Sequence, residues 1–185
     1  MRDVSCVVLA AGRATRMGRE KLSLAFGDGT MLDAVLAACT VFPTVVVATP
    51  GLAVPKRRSL RVVLNDQPER GMAHSLRLAN AEVPKSHALA VLLADKPLVN
   101  AALLQRLLDA PGADVVFPVR GTIPGHPVIF SARARELIES LPDGDTLRLL
   151  REDVRLTRFA LPTEDDGAFV DVDTEEDYRA LRGDA

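Results

Sequence analysis

Val4-Ser-Cys-Val-Val-Leu-Ala-Ala-Gly-Arg-Ala-Thr-Arg-Met-Gly-Arg-Glu-Lys21 passes without a break from an apolar, β-branched run into small residues, two glycines and a cluster of cations. A strand feeding such a loop lets backbone N–H groups approach an anion closely, because glycine carries no Cβ to hold it away. Residues 13–21 hold Arg13, Arg16, Arg19 and Lys21 against a single acid, Glu20, so a polyphosphate is the natural guest. Two familiar phosphate loops fail on spacing. The Walker pattern needs four residues between its glycines and then Lys-Ser/Thr, whereas five residues separate Gly12 from Gly18 and Arg-Glu follows; the dinucleotide pattern needs glycine where Ala14 stands. The loop is either a third kind of phosphate binder or a surface turn with solvated arginines.

Working outward, apolar runs of strand length recur at residues 5–9, 44–48, 60–64, 88–93 and 114–119. Helix-length periodic segments separate most of them: 31–40 behind a Thr30 cap, 72–82 after Gly71, and 101–108 behind an Asn100 cap. That alternation predicts a parallel α/β sheet, and strands this continuously hydrophobic imply helices on both faces. Beyond residue 119 the rhythm changes. A Gly/Pro-rich stretch at 121–127 precedes a strand at 128–130, a helix over 132–141, a turn at 142–145, a short helix at 146–151, strands at 155–161 and 168–172, and a helix at 175–181. Without linker composition, repeat or low-complexity tract, the 185 residues are expected to form one domain.

Composition removes several function classes. The formal charge of −2 and an aromatic set of six Phe, one Tyr and no Trp argue against a dedicated nucleic-acid binder. The first apolar stretch is too short for a membrane span and lacks a signal-cleavage pattern, so a cytoplasmic protein is expected. Cys6 and Cys39 each sit in an apolar run and read as reduced core thiols. Only four of the 23 basic residues are lysine (Lys21, Lys56, Lys85 and Lys96), which singles out each Lys for attention.

The fourth run ends Val91-Leu-Leu-Ala-Asp95-Lys-Pro-Leu98. In open α/β sheets ligands bind beyond the carboxyl ends of the strands, so Asp95 can reach a Mg²⁺ held on phosphate oxygens; taken alone, it reads equally well as a turn former ahead of Pro97. Residues 164–177 hold eight acids and no base. Of these, Asp171 and Asp173 alternate with Val170 and Val172, so on the expected strand they share a face and can complete a metal site with Asp95. Among the histidines, His87 reads as a surface residue and His74 as part of a helix, while His126, between Gly125 and Pro127, sits in a constrained turn where its ring can meet a ligand. No Ser/His/Asp pattern, activated cysteine or zinc spacing supports covalent or zinc catalysis.

These segments resemble the MobA-like nucleotidyltransferases, and within them most closely the molybdenum cofactor cytidylyltransferases. The resemblance lies in the 9–21 stretch, Asn65-Asp-Gln-Pro-Glu-Arg-Gly-Met-Ala-His-Ser75, Ala94-Asp-Lys-Pro-Leu98, Gly121-Thr-Ile-Pro-Gly-His-Pro-Val-Ile-Phe130 and Asp171-Val-Asp-Thr-Glu-Glu-Asp177, in the family's order over nearly the whole chain. It implies a three-layer α/β/α Rossmann-like fold with a mostly parallel, mixed central sheet. It also implies that the first loop (Leu9, Ala10, Ala11, Gly12 and Arg13) wraps a nucleoside triphosphate whose phosphates Arg16 and Lys21 neutralise. Ala10-Ala11-Gly12 is the version associated with cytidine, against Ala-Gly-Gly in the guanylyltransferase branch. Gly71 and Ser75 match a nucleotide-contacting Gly-x-x-x-Ser, Asp95 the Mg²⁺-binding aspartate, and Asp171 or Asp173 the later acidic position.

Two departures stand out. Lys96 replaces the family's Gln or Met, adding a cation beside the metal aspartate, and is expected with His126 on the acceptor side. The stretch 49–58 is also short, which curtails a helix common there. The implied reaction moves CMP from CTP, with Mg²⁺ or Mn²⁺, to a phosphate of the molybdenum cofactor and releases pyrophosphate. A molybdenum hydroxylase or its chaperone would be the partner. Alternatives are another phosphorylated acceptor, such as a sugar phosphate or a phospho-lactate-like acid, and a cofactor chaperone that binds without turnover. A receiver-like domain phosphorylated on Asp95 leaves the basic loop unexplained.

Overall fold

The computed structural model describes residues 3–12 and 21–182. Alternation along β1 (Val4–Ala10) sends Cys6, Val8 and Ala10 to one face of a central sheet and Val7 and Leu9 to the other. A small hairpin of β2 (Ala25–Phe26) and β3 (Gly29–Thr30) leads into α1 (Met31–Ala37). This helix starts at a capping box: Thr30 Oγ1 accepts from Asp33 N–H and Asp33 Oδ2 accepts from Thr30 N–H, both at 3.1 Å. There follow β4 (Thr44–Ala48), β5 (Leu60–Leu64), α2 (Gly71–Glu82), β6 (Ala88–Leu93) and α3 (Ala101–Leu108). Asn100 Oδ1 caps α3 by accepting from Leu103 N–H at 2.9 Å.

The second half contains β7 (Val115–Arg120), β8 (Ile123–Pro124), β9 (Val128–Phe130), α4 (Ala132–Arg135), α5 (Leu147–Glu152), β10 (Arg158–Pro162) and α6 (Glu175–Arg182). The sheet order is β10-β7-β9-β6-β1-β4-β5, with β8 hairpinned onto β7. Every neighbouring pair along that path is parallel except those of β9, which runs antiparallel to both β6 and β7. Helices α1 and α3 cover one face, where Leu32, Leu36, Leu103 and Leu107 meet Val8, Val46 and Leu92. On the other face Leu76 and Ala79 of α2, with Ile138, Leu147 and Leu150, meet Val7, Val47 and Val91. The result is a three-layer α/β/α arrangement around a mixed, mostly parallel sheet. Cys6 and Cys39 are buried in the first of these cores, where contact with Cys39 and burial raise the Cys6 thiol well above its usual pKa.

Two local expectations need correction, and one element was not anticipated. The helix expected over 132–141 stops at Arg135, tightens through Glu136 N–H to Arg133 O and Leu137 N–H to Ala134 O bonds, and ends in a 3₁₀ turn at Ile138–Ser140. Packing overrides propensity here: Ile138 is drawn fully into the core while Arg135 is buried against α2. Residues 168–172 form no strand. Ala168 ends a 3₁₀ turn that starts at Asp166, and the residues after it cross the end of β6, where no neighbouring strand offers a ladder and Val172 N–H finds the Asp95 carbonyl at 2.9 Å. The β2–β3 hairpin was too short to show a period; it turns through Gly27 at φ +56°.

Candidate active site

Strands β1 and β6 are parallel neighbours with Leu9 opposite Leu93, so the chain leaves both at one edge of the sheet. Ala94 N–H donates to Leu9 O at 3.1 Å and keeps the two exits together. There a cleft of about 420 Å³ opens, walled by Leu9, Ala11, Gly12, Pro68, Glu69, Gly71, Met72, Ser75, Leu93 and Asp95. Six of the residues expected at the site thus share one cavity: Leu9, Ala11, Gly12, Gly71, Ser75 and Asp95. Ala10 is the last residue of β1, 3% exposed, and packs into the α1-side core rather than lining this cleft. Arg13 and Arg16 lie outside the described residues.

The α2 side of the cleft is set by two glycines. Gly71 has φ +83°, and a Cβ there would stand 2.9 Å from Gly144 Cα. This close approach lets Gly144 N–H donate to Arg70 O at 2.9 Å and Ala73 N–H to Asp145 O at 3.2 Å. Arg70 Nε meets Asp143 Oδ2 at 2.7 Å, and Arg77 pairs with the other carboxylate oxygen. The two arginines hold the Asp143 carboxyl below its usual range. The turn at 142–145, read from sequence as punctuation, therefore braces the start of α2.

At the β6 exit the charges interlock. Lys21 Nζ lies 3.5 Å from Asp95 Oδ2 and 3.1 Å from Asp173 Oδ1, and it donates to Val172 O at 2.8 Å. Asp95 Oδ1 is buried without a hydrogen-bond partner among the described residues. Lys96 points elsewhere. Its side chain is buried, with Nζ donating to Phe169 O at 3.0 Å and 3.6 Å from Asp171 Oδ2. The amine is engaged by the chain itself. Asp173 thus shares Lys21 with Asp95, whereas Asp171 pairs with Lys96. Among the described residues no three His, Cys, Asp or Glu side chains converge on one metal position.

His126 is held by its backbone N–H on Ala168 O at 2.9 Å. Gly125 beside it leaves no room for a Cβ, which would meet Ala168 O at 2.6 Å. Burial, with the cations Lys96 and Arg151 nearby, lowers its pKa to about 3, so the ring is neutral. Its Nδ1 is buried and has no partner among the described residues. His87 accepts or donates at Nδ1 with Ser5 Oγ at 2.9 Å, and His74 lies on α2.

Two buried polar residues escaped the sequence reading. Asn65, fully buried, donates from Nδ2 to Ser75 Oγ at 2.9 Å. Arg135 donates to Asn80 Oδ1 and to the carbonyls of Asn80, Val83, Pro84 and His87, tying off the end of α2. The unusual burial of an Arg in a short helix has no sequence signature. Asn65, by contrast, stands directly after an apolar strand and one residue ahead of the Gln67-Pro68 pair, a position that could have flagged it.

This geometry meets known proteins at the level of the whole chain. Residues 6–158 match the MobA-like NTP transferase domain. The chain is 30% identical to a probable molybdenum cofactor guanylyltransferase of Mycobacterium avium, covering 95% of this chain and 93% of that one. It is 20% identical to the molybdenum cofactor cytidylyltransferase of Escherichia coli, covering 96% and 95%. A Mycobacterium tuberculosis protein crystallised in complex with manganese superposes with a TM-score of 0.78 at 27% identity, covering 99% of this chain and 100% of that one. The chain belongs to the MobA-like NTP transferase family and is a nucleotidyltransferase.

Proposed function

We propose that this protein transfers CMP from CTP to the terminal phosphate of the molybdenum cofactor, with residues 1–185 acting as one catalytic unit. An oxygen of the acceptor phosphate attacks the α-phosphorus of the triphosphate in line, the bond to the β-phosphate oxygen breaks, and pyrophosphate leaves. The acceptor phosphate is already ionised near neutral pH, so positioning and charge neutralisation suffice and no general base is needed. The observation that carries the reading is the meeting of Lys21 Nζ and the Asp95 carboxylate at the mouth of the cleft.

Lys21 and Arg16 would hold the triphosphate, and the backbone at Ala10, Ala11, Gly12 and Arg13 would wrap it. Gly71 and Ser75 would line the nucleoside end. Asp95 suits a hard divalent cation: its buried Oδ1 lacks a partner among the described residues, and Mg²⁺ or Mn²⁺ needs only one or two carboxylates beside phosphate oxygens. Asp173, which shares Lys21 with Asp95, is the better placed of the two later aspartates to assist it, and Asp171 is tied to Lys96. When bound, the metal would neutralise charge on the reacting phosphate and the departing pyrophosphate. Ala10-Ala11-Gly12 supports CTP, and the cytidylyltransferase and guanylyltransferase relatives support the cofactor as acceptor. A molybdenum hydroxylase or its chaperone would then take the product.

Purified protein with molybdopterin and, separately, CTP, GTP or ATP tests the reading. Pyrophosphate release with CTP alone is the expected result. Release with GTP alone would overturn the base assignment, release only with another phosphorylated acceptor would overturn the cofactor, and tight binding without release would make the protein a chaperone.

A further inference from the structure

Asn65 and Ser75 form a buried pair beneath the cleft, and their hydrogen bonds have a fixed direction. The backbone N–H of Gln67 donates to Asn65 Oδ1 at 2.9 Å. A backbone N–H can only donate, so the oxygen of the Asn65 amide must face Gln67 and the NH₂ must face Ser75. Asn65 Nδ2 then donates to Ser75 Oγ at 2.9 Å. Asn65 is 0% and Ser75 5% exposed, so the pair is largely shielded from bulk water except where Ser75 lines the cleft. Among the described residues the Ser75 hydroxyl has no other hydrogen-bond partner, so its proton is left for whatever fills the cleft that Ser75 lines. Around it stand Leu9, Pro68, Met72 and Leu93, an apolar wall suited to a flat ring rather than to phosphates.

We propose that Asn65 is a positioning residue that fixes the Ser75 hydroxyl as a donor into the cleft, so that the bound nucleotide must present an acceptor atom of its base there. This rests on the reading of the cleft as the nucleotide site. The relay runs Gln67 N–H to Asn65 Oδ1, Asn65 Nδ2–H to Ser75 Oγ, and Ser75 O–H to a carbonyl oxygen or ring nitrogen. An exocyclic amino group at that position would set two donors face to face, leaving both unpaired in a buried site. Such a mismatch discriminates far more strongly than a missing contact between apolar groups.

Asn65→Asp tests the relay because it keeps the side-chain shape and makes the polarity titratable. When protonated, the new carboxyl donates to Ser75 as the amide does; when ionised, it accepts the Ser75 proton and turns a lone pair toward the cleft. Binding of CTP, of GTP and of inorganic tripolyphosphate is measured by calorimetry between pH 5.5 and 9, alongside Ser75→Ala and the double variant. For the nucleotide that the unmodified protein prefers, the ratio of variant to wild-type affinity should fall at least tenfold with rising pH. Ser75→Ala should weaken that nucleotide about fivefold or more and abolish the pH-dependent fall in the double variant. Tripolyphosphate binding should be unchanged throughout.

A ratio that stays flat with pH, a fall that persists without the Ser75 hydroxyl, or a parallel loss of tripolyphosphate would overturn the assignment. Should Asn65→Asp not fold, Ser75→Ala decides alone, with an equal loss of nucleotide and tripolyphosphate, or no loss, as the contrary result. Binding of neither nucleotide by the wild-type protein would instead overturn the nucleotide reading of the cleft, and the relay with it.

Discussion

Two of the chain's four lysines lie beyond the end of β6 among carbonyl and carboxylate oxygens, and their surroundings differ. Lys21 is a cation among oxygens: Asp95, Asp173 and the Val172 carbonyl all lie within 3.5 Å of its amine, the setting in which the proposed triphosphate would meet it. Lys96 is buried and bonded to Phe169 O, so it stitches the 169–171 segment to the end of β6. Lys96→Met should therefore cost about 1.5–3 kcal/mol in urea denaturation, the range for a hydrogen bond made by a charged group, and leave the acceptor KM little changed. Unchanged stability with a raised acceptor KM would return Lys96 to the acceptor side. His126 offers a pH signature. Its folded pKa of about 3 lies below the ordinary 6.5, so the unfolded chain binds the extra proton between those values. Its contribution to stability is complete above pH 6.5 and is lost as pH falls toward 3, by about a tenfold change in the unfolding constant per pH unit. Denaturation at pH 4 to 7 should show that slope, and His126→Gln should flatten it.

The elements that build the cleft differ in how openly the sequence announces them. Strands β1, β4 and β6 are buried on both faces, so their apolar runs were visible without knowledge of neighbours, and Thr30 and Asn100 marked helix starts through short-range capping. The parallel run of most strands followed from their alternation with helices, but which strand is reversed and which strands are neighbours did not. Nothing in Val128–Phe130 says that β9 runs against β6, and the alternation at 168–172 looks like a strand because it packs Val172 beside Met31 and Tyr178 without any ladder. The same limit applies to the site. Asp95 follows from its place at a strand end, whereas the Asn65–Ser75 bond and the Gly71–Gly144 approach join residues ten and 73 positions apart. Gly71→Ala tests the second of these: with φ at +83° and Gly144 Cα 2.9 Å away, it should destabilise by roughly 1–3 kcal/mol and weaken nucleotide binding. Thermal unfolding and a CTP titration would show both, and neutrality in both would mean that the α2 start tolerates a shift away from the turn at 142–145.

For the molecule as a whole, the near-zero net charge is a cancellation between segments rather than an even mixture. The basic run at 13–21 follows β1, and the acidic run at 164–177 crosses the end of β6, the neighbouring strand of the same sheet edge. Where the two meet, Lys21 bridges Asp95 and Asp173. On the proposed function, the basic run would hold phosphates and the carboxylates a divalent cation at this edge, which is the centre of the proposed chemistry. Asp95→Asn removes the charge while keeping the shape of the carboxyl group. The most direct measurement is therefore pyrophosphate release from CTP in the presence of molybdopterin and Mg²⁺, wild type against Asp95→Asn, with thermal unfolding as the check on folding. The rate should drop by about a thousandfold, in line with losing a group that stabilises transition-state charge, while the melting temperature holds; a folded Asp95→Asn protein that turns over at close to the wild-type rate would contradict the assignment of this edge as the catalytic centre.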